Sequence, residues 1–287
     1  MLIQITNMCN FACRHCMQDS GAHGEHITPQ LMRNALLFAK AIDSKMLVIS
    51  GGEPTLHPDF LSYVDEVCTK FRSASVATNG SWLLKDSPNH EIGKRLVRML
   101  DTHDNLFIQV CSVPGLYQNS DEITKIFKEK FPEDGPYQSR VFIANKIEAM
   151  CALGRAASDE ECLEKAKYES KTTTSCFSSA VVGAQLPLKE AIFALEVRGK
   201  FCHPMIDCQG HVRWSESRTC PFFGQLPQAS DITEDEVARL SAAAHEWRPC
   251  GACADYAKLF DPKRGIRYKT AVEMLGLEPP TKTTEEE

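Results

Sequence analysis

Three cysteines near the amino terminus are spaced closely enough to act together. Cys9, Cys13 and Cys16 have three residues between the first two and two between the last two. Thiolates are soft ligands that suit iron–sulfur clusters or zinc. Three thiolates leave one iron of a four-iron cluster without a protein ligand, and an external molecule can bind at that iron. The spacing therefore predicts a metal centre with an open position.

Zinc is the alternative at these cysteines. A structural zinc ion usually takes four protein ligands, often from cysteines paired two residues apart. His15, which immediately precedes Cys16, could serve as the fourth ligand. The spacing of three and then two residues is unusual for a zinc finger, so an iron–sulfur cluster is the favoured prediction.

A second group of cysteines lies in the carboxyl-terminal part of the chain. The turn-forming sequence at 206–212 predicts a hairpin, which would bring together the cysteines on either side of it. A later pair is separated by only two residues. Two pairs of thiolates can hold either a zinc ion or an iron–sulfur cluster. The candidate ligands are Cys202, Cys208, Cys220, Cys250 and Cys253.

Further polar motifs follow the predicted strands. Residues 50–54 read Ser-Gly-Gly-Glu-Pro. The glycines would let the backbone approach a ligand closely, and the carboxylate could pair with an ammonium group. Asn79 and Ser112 end the next two strands, where a turn or a cap is the simpler interpretation. Arg155 carries a planar guanidinium that could pair with a carboxylate, or it is a surface arginine beside a turn.

The elements that must position these residues alternate between strand and helix. Apolar runs predict strands at 2–6, 46–49, 74–78, 106–110 and 140–143, and helical spacing predicts helices at 29–42, 59–71, 92–100 and 121–130. Thr28 followed by Pro29 is typical of a helix start. Five such units, with a sixth less clear, predict an α/β fold. The expected architecture is a partial (β/α)6 TIM-like barrel whose reactive site lies at the carboxyl ends of the strands.

The barrel core is predicted to cover residues 1–156. A charged linking segment is expected at 157–201, followed at 202–260 by a small cysteine-rich metal-binding extension that forms a separate appendage. The C-terminal segment, 261–287, is expected to end in a disordered acidic tail.

Composition narrows the class of protein. With 287 residues, 43% of them hydrophobic, the chain is suited to one large globular domain with an appendage. The net charge of -6 gives no general electrostatic reason to bind nucleic acid or an anionic membrane. The start lacks a signal peptide, and no stretch approaches roughly 18 uninterrupted apolar residues, so we predict a cytoplasmic protein. In such a chain the 13 cysteines are expected to be metal ligands or buried thiols.

The Cys-x3-Cys-x2-Cys spacing resembles the radical S-adenosylmethionine (SAM) superfamily, and the Gly-Gly-Glu-Pro motif one strand later strengthens the resemblance. The resemblance implies that Cys9, Cys13 and Cys16 hold a catalytic 4Fe-4S cluster, with the methionine amine and carboxylate of SAM on the fourth iron. His15 takes a position that is commonly aromatic and packs near the adenine. The other implied cofactor-binding residues are Gly51, Gly52, Glu53, Pro54, Asn79, Ser112 and Arg155.

The second cysteine group resembles the twitch or SPASM-type extensions of the same superfamily. The resemblance implies a single auxiliary 4Fe-4S cluster, with Cys208 as an alternative to one of its ligands. The implied ligand set is Cys202, Cys220, Cys250 and Cys253.

These resemblances imply an enzyme that reductively cleaves SAM to a 5'-deoxyadenosyl radical, which abstracts hydrogen from a substrate. The auxiliary cluster would assist oxidation or crosslinking of a peptide or protein, and dehydrogenation of a small hydroxylated metabolite is the alternative. An electron donor such as a flavodoxin or ferredoxin is the implied partner. A non-catalytic iron–sulfur or zinc protein for electron transfer or scaffolding is the alternative of another class, and the open three-cysteine site argues against it.

Overall fold

The computed structural model describes residues 1–16, 18–144, 154–162, 204–213 and 222–245, and the backbone of 260–261 and 265–266. Strands and helices alternate as the sequence predicts. The strands pair in parallel in the order β5-β4-β3-β2-β1, which confirms an α/β fold with a mostly parallel sheet. The elements are β1 (Leu2–Gln4), α1 (Pro29–Ala41), β2 (Met46–Ser50), α2 (Phe60–Lys70), β3 (Ser73–Thr78), α3 (His90–Met99), β4 (Leu106–Cys111), α4 (Ser120–Lys130) and β5 (Val141–Ala144).

The start of α1 follows from local chemistry. Thr28 Oγ1 accepts a hydrogen bond from the Leu31 backbone N–H at 3.1 Å. Pro29 occupies the first turn, where a backbone N–H would have no acceptor within the helix, so the lack of an N–H in proline costs no hydrogen bond. The face that carries Leu31, Phe38 and Ala39 is completely buried. The capping residues and the apolar spacing therefore agree on where this helix begins.

The core holds the strands at fixed positions. The side chains of Ile3, Ile49, Val76, Ile108 and Val110 are each 0% exposed. Complete burial of such a side chain contributes about 1.5 to 3 kcal/mol. The carboxyl ends of β1 to β4 are therefore anchored next to one another, and the loops that follow them start from fixed positions.

The described part of the predicted extension continues the main sheet. β6 (Met205–Ile206) pairs in parallel with β1 on the side away from β2. β7 (His211–Arg213) and β8 (Phe222–Gln225) follow as antiparallel strands. A sixth parallel strand is thus present, but it lies beside β1 rather than β5. The residues immediately after β5, where the sixth unit was expected, lie outside the described ranges.

The hairpin predicted at 206–212 is confirmed. Asp207 Oδ1 accepts hydrogen bonds from the backbone N–H groups of Gln209 and His211, both at 3.0 Å. Gly210 has a φ of 87°, a conformation that glycine adopts without strain. The carboxylate and the glycine together close the turn between β6 and β7.

A helix after β8 also joins this region to the barrel. α5 (Glu234–His245) packs beside α1. Asn34 of α1 donates to Pro227 O at 2.8 Å and to Ser230 O at 2.9 Å, and it accepts from Ile232 N at 3.1 Å. The strands β6 to β8 and α5 therefore do not form a detached appendage, because they cover the edge of β1 that would otherwise be unpaired. The boundaries of the linking and metal-binding segments stay predictions.

Further along the chain, β9 (Phe260–Asp261) and β10 (Gly265–Ile266) form their own antiparallel pair. Of the helices in the described part of the chain, none has both the length and the apolar character needed to cross a membrane.

Candidate cofactor site

The three cysteines of the first group lie on the loop that leaves the carboxyl end of β1. Cys9 and Cys13 are buried, and Cys16 is half-buried. The Phe11 N–H donates to Cys9 Sγ and the Ser20 N–H donates to Cys16 Sγ, both at 3.4 Å. Backbone donors directed at sulfur stabilise negative charge there, as they do around iron–sulfur clusters.

Burial sets the protonation of these thiols in the absence of a metal. It raises the pKa of Cys9 to about 11, with the Phe11 N–H opposing the rise and the charge of Glu53 adding to it. Burial also raises the pKa of Cys13. The free side chains are therefore protonated near neutral pH. A bound metal deprotonates such a thiol outright, so buried thiols of this kind can still serve as metal ligands.

The geometry differs from that of a single-ion site. Among the residues that the structure describes, no three His, Cys, Asp or Glu side chains are placed to hold one metal ion together. In a four-iron cluster each thiolate binds its own iron, so three thiols of one loop need not converge on a point. The soft donors and the N–H groups directed at them fit such a cluster.

The Gly-Gly-Glu-Pro segment is bonded directly to the cysteine loop. The Gly52 N–H donates to Thr6 O, and the Glu53 N–H donates to Met8 O, both at 2.8 Å. A Cβ added at Gly51 would lie 2.6 Å from Thr6 O. The glycines were expected to make room for a ligand. In the structure they permit close approach to the backbone that leads into the cysteine loop, and the approach to a ligand stays a prediction.

Glu53 lies at the centre of a buried network. Its Oε1 accepts from Thr78 Oγ1 at 2.8 Å and from both the N–H and the hydroxyl of Thr55, and its Oε2 accepts from Asn79 N at 2.7 Å. Burial raises the pKa of the carboxyl, and these donors oppose the rise. Pro54 is buried beside it at the start of a 3₁₀ helix, Pro54–Leu56. The carboxylate thus joins the turn after β2 to the end of β3, and its predicted pairing with a SAM ammonium stays a prediction.

An aromatic pair lies beside the cysteine loop. His15 is buried and its ring centroid is 4.5 Å from that of Tyr117, which lies in the loop after β4. Burial lowers the pKa of His15, so the ring is neutral near pH 7. Within the described ranges, His15 Nδ1 is buried and has no hydrogen-bond partner. A buried polar atom of this kind usually indicates a missing partner, which fits a bound ligand at this position.

Tyr117 was missed by the sequence reasoning. Burial raises its pKa well above the ordinary value, and negative charge on Cys111 and Cys13 would raise it further. Its position could have marked it as a candidate site residue, because loops at the carboxyl ends of barrel strands form the reactive face.

Arg155 and Ser112 use their polar groups on the protein itself. Arg155 Nε donates to Cys13 O at 3.0 Å, its backbone N–H donates to Cys16 O at 3.0 Å, and its guanidinium pairs with Asp19. Ser112 is buried, and its hydroxyl donates to Ser120 O at 3.3 Å. Arg155 therefore braces the cysteine loop, and Ser112 fixes the start of α4. Their predicted contacts with SAM stay predictions.

Of the second cysteine group, the structure describes Cys208. It lies buried in the β6–β7 turn, and burial raises its pKa to about 11, with the charges of Asp207 and Glu25 adding to the rise. The backbone of Asn7 opposes this rise as a hydrogen-bond donor, so the thiol lies against the segment that leads to Cys9. The other predicted auxiliary ligands lie outside the described residues: Cys202, Cys220, Cys250 and Cys253.

Known proteins resemble part of this chain. The chain is 33% identical over 91 residues to a GTP 3',8-cyclase of Actinobacillus succinogenes, covering 29% of this chain and 27% of the relative. It is 36% identical over 89 residues to the antilisterial bacteriocin subtilosin biosynthesis protein AlbA of Bacillus subtilis, covering 29% and 19%. An S-adenosylmethionine-dependent nucleotide dehydratase of Selenomonas ruminantium is 32% identical over 89 residues, covering 29% and 30%. The chain thus spans less than a third of the length of each of these relatives.

A crystal structure of Streptococcus suis SuiB bound to S-adenosylmethionine shows 13% sequence identity and a TM-score of 0.38, covering 74% of this chain and 58% of that one. Residues 3–135 match the family model of the Radical SAM superfamily, whose members are enzymes that use SAM and a 4Fe-4S cluster. The match includes the cysteine loop, the Gly-Gly-Glu-Pro segment and the aromatic pair. The matched part, residues 3–135, is just under half of the chain.

Proposed function

We propose that this protein is a radical SAM enzyme whose cluster is bound by Cys9, Cys13 and Cys16. The observation that carries the proposal is the loop itself: three buried or half-buried thiols at the carboxyl end of β1, with backbone N–H groups directed at their sulfurs. When bound, the cluster and SAM supply an electron and a 5'-deoxyadenosyl radical that abstracts hydrogen from the substrate.

The protein's own residues would position and enclose this chemistry. Glu53 and Arg155 both hold the cysteine loop in place. The Glu53 N–H donates to Met8 O, and Arg155 Nε donates to Cys13 O. His15 and Tyr117 present an aromatic surface beside the thiols. His15 Nδ1, buried without a partner in the described structure, is available to bond the bound cofactor. These groups would exclude water from the site, which protects a radical from side reactions.

For the substrate we favour a peptide or protein that is oxidised or crosslinked. The similarity to AlbA, a protein of bacteriocin biosynthesis, supports this class. A small-molecule substrate is the alternative, of which dehydrogenation of a hydroxylated metabolite is one form. The similarity to a GTP 3',8-cyclase and a nucleotide dehydratase supports small-molecule chemistry.

An auxiliary 4Fe-4S cluster would complete the electron path. We infer that the second cysteine group binds it and that it takes up the electron left on the substrate radical. A low-potential donor such as a flavodoxin or ferredoxin would supply the first electron, and the cytoplasm is the compartment where such donors act. The inferred ligands are Cys202, Cys220, Cys250 and Cys253, with Cys208 as an alternative.

The proposal is tested by anaerobic reconstitution with iron and sulfide, followed by dithionite, SAM and quantification of 5'-deoxyadenosine. The wild-type protein is expected to form this product. Replacement of Cys9, Cys13 and Cys16 together by Ala should abolish it, because thiolates are the only protein ligands of the cluster. Cys68→Ala is the matched control, since that thiol is buried within α2. Cleavage of SAM by the triple variant would refute the proposal.

A further inference from the structure

The side chain of Asn79 is directed at the sulfur of Cys9. Its Nδ2 lies 3.7 Å from Cys9 Sγ and 3.1 Å from Asn10 Oδ1, and both contacts are hydrogen bonds donated by the amide. Its Oδ1 accepts from the Ser81 N–H at 2.8 Å. A backbone N–H can only donate, so it fixes the amide oxygen on the side of Ser81 and the amide nitrogen on the side of Cys9.

The amide is held in this position by its surroundings. Asn79 is 6% exposed, and its backbone N–H donates to Glu53 Oε2 at 2.7 Å. The next residue, Gly80, has a φ of 75°, and a Cβ there would lie 2.6 Å from Val110 Cγ1, so the turn is closely packed. Asn10 is fixed in turn by its Nδ2, which donates to Ser81 Oγ at 2.9 Å. The amide cannot rotate away from Cys9 without breaking these bonds.

A hydrogen bond to a cluster sulfur affects the two oxidation states unequally. One-electron reduction adds a negative charge that is shared with the thiolate sulfurs. A donor at the sulfur stabilises the reduced state more than the oxidised state, and it therefore raises the reduction potential. In a buried site of low dielectric constant this effect is stronger than it would be in water.

We propose that Asn79 is a positioning residue that raises the reduction potential of the cluster by hydrogen bonding to Cys9. This inference rests on the proposed function, in which Cys9 binds the cluster. It assigns to Asn79 a role through the ligand sulfur rather than through contact with SAM. The electron in this step comes from an external low-potential reductant, and no atom is transferred.

The test is a redox titration of the anaerobically reconstituted full chain, monitored by electron paramagnetic resonance with dithionite as the reductant. The signal of the Cys9 cluster is assigned by its loss in the triple cysteine variant. Asn79→Ala is expected to shift this potential to more negative values. We expect about a tenfold lower ratio of reduced to oxidised cluster at a fixed potential, which corresponds to about 59 mV for one electron.

The matched control is Asn105→Ala, which removes a side-chain amide that donates to Cys68 O and Phe71 O, away from the cysteine loop. Its potential should equal that of the wild-type protein. An Asn79→Ala potential equal to that of this control, with the cluster present and SAM still cleaved, would overturn the inference and leave the proposed function standing. Absence of a wild-type signal that depends on Cys9 would instead overturn the proposed function.

A second measurement compares the wild-type protein with Asn79→Asp, in case Asn79→Ala fails to assemble the cluster. Asparagine labelled with 15N at the side-chain amide is incorporated, and pulsed electron paramagnetic resonance of the reduced cluster is recorded. A nitrogen coupling that is absent from Asn79→Asp supports the hydrogen bond. If the labelled wild-type cluster shows no 15N coupling, the inference is wrong.

Discussion

Replacement of Gly52 by Ala tests whether the Gly-Gly-Glu-Pro segment and the cysteine loop form one packed unit. A Cβ at Gly52 would lie 2.3 Å from Met8 O, 2.8 Å from Met8 C and 2.9 Å from Ser20 Cβ. Ordinary contact distances of roughly 3.5 Å require the two backbones to separate by about 1 Å. Because the nearest atoms belong to backbone, a change of side-chain rotamer cannot relieve the clash.

The expected cost follows from the bonds across this junction. Gly52 N to Thr6 O and Glu53 N to Met8 O are both 2.8 Å, and separation by about 1 Å takes both beyond hydrogen-bond distance. Each such bond contributes about 0.5 to 1.5 kcal/mol, and overpacking costs about 1 to 3 kcal/mol more. We therefore expect Gly52→Ala to lower the free energy of unfolding by about 2 to 6 kcal/mol.

The assay is urea unfolding of the metal-free protein, followed by circular dichroism. Gly21→Ala, in the loop after β1, is the matched control, because a Cβ there meets nothing within 4 Å. Its free energy of unfolding should stay within about 1 kcal/mol of wild type. Iron bound after reconstitution should fall in Gly52→Ala and remain unchanged in Gly21→Ala. Equal stability of the two variants would refute the packing argument.

Two further predictions concern the auxiliary site and the effect of pH. Replacement of Cys250 and Cys253 by Ala should reduce bound iron from about eight to about four atoms per chain and stop product formation while SAM is still cleaved; about four iron atoms with one zinc in the wild-type protein would contradict the auxiliary cluster. Burial lowers the pKa of His57, so the unfolded chain binds a proton that the folded chain does not, and the free energy of unfolding should fall as the pH drops below about 6.5. In urea unfolding from pH 7 to 5, His57→Gln should flatten this dependence on pH, and a variant whose dependence equals that of the wild-type protein would exclude His57 as a source.

The elements that position the site were predictable because their signals are local. Thr28 and Pro29 mark the start of α1, and the apolar runs of β1 to β5 are short, buried and bounded by turns. The position of β6 was not predictable in this way. It contains two residues, and its partner is β1, about 200 residues earlier in the chain. No pattern within so short a segment specifies a partner at that separation.

The identity of the cofactor-site residues was likewise easier to predict than their contacts. The spacing of the cysteines placed three thiols on one loop, but it held no information on Tyr117, which packs against His15 from the loop after β4. Arg155 was predicted to pair with the carboxylate of the cofactor, which stays a prediction, and in the structure its guanidinium bonds to Cys13 O and to the carboxylate of Asp19. A motif specifies the available chemistry of a side chain, whereas its partner depends on loops that meet only in the folded chain.

The Glu53 side chain could serve two roles, one in bonding to the protein and one in binding a ligand. Its Oε1 has three protein donors, but its Oε2 accepts from Asn79 N alone among the bonds described above. Oε1 has no acceptor capacity left, so a ligand ammonium would have to bind at Oε2, next to Asn79. Binding of SAM by Glu53 would then act on the same turn that directs the Asn79 amide at Cys9. Loss of SAM binding in a Glu53 variant therefore has two explanations: loss of the pair between the carboxylate and the SAM ammonium, or displacement of the turn that carries Asn79. The reduction potential of the cluster separates them, because it reports on the contact between Asn79 and Cys9.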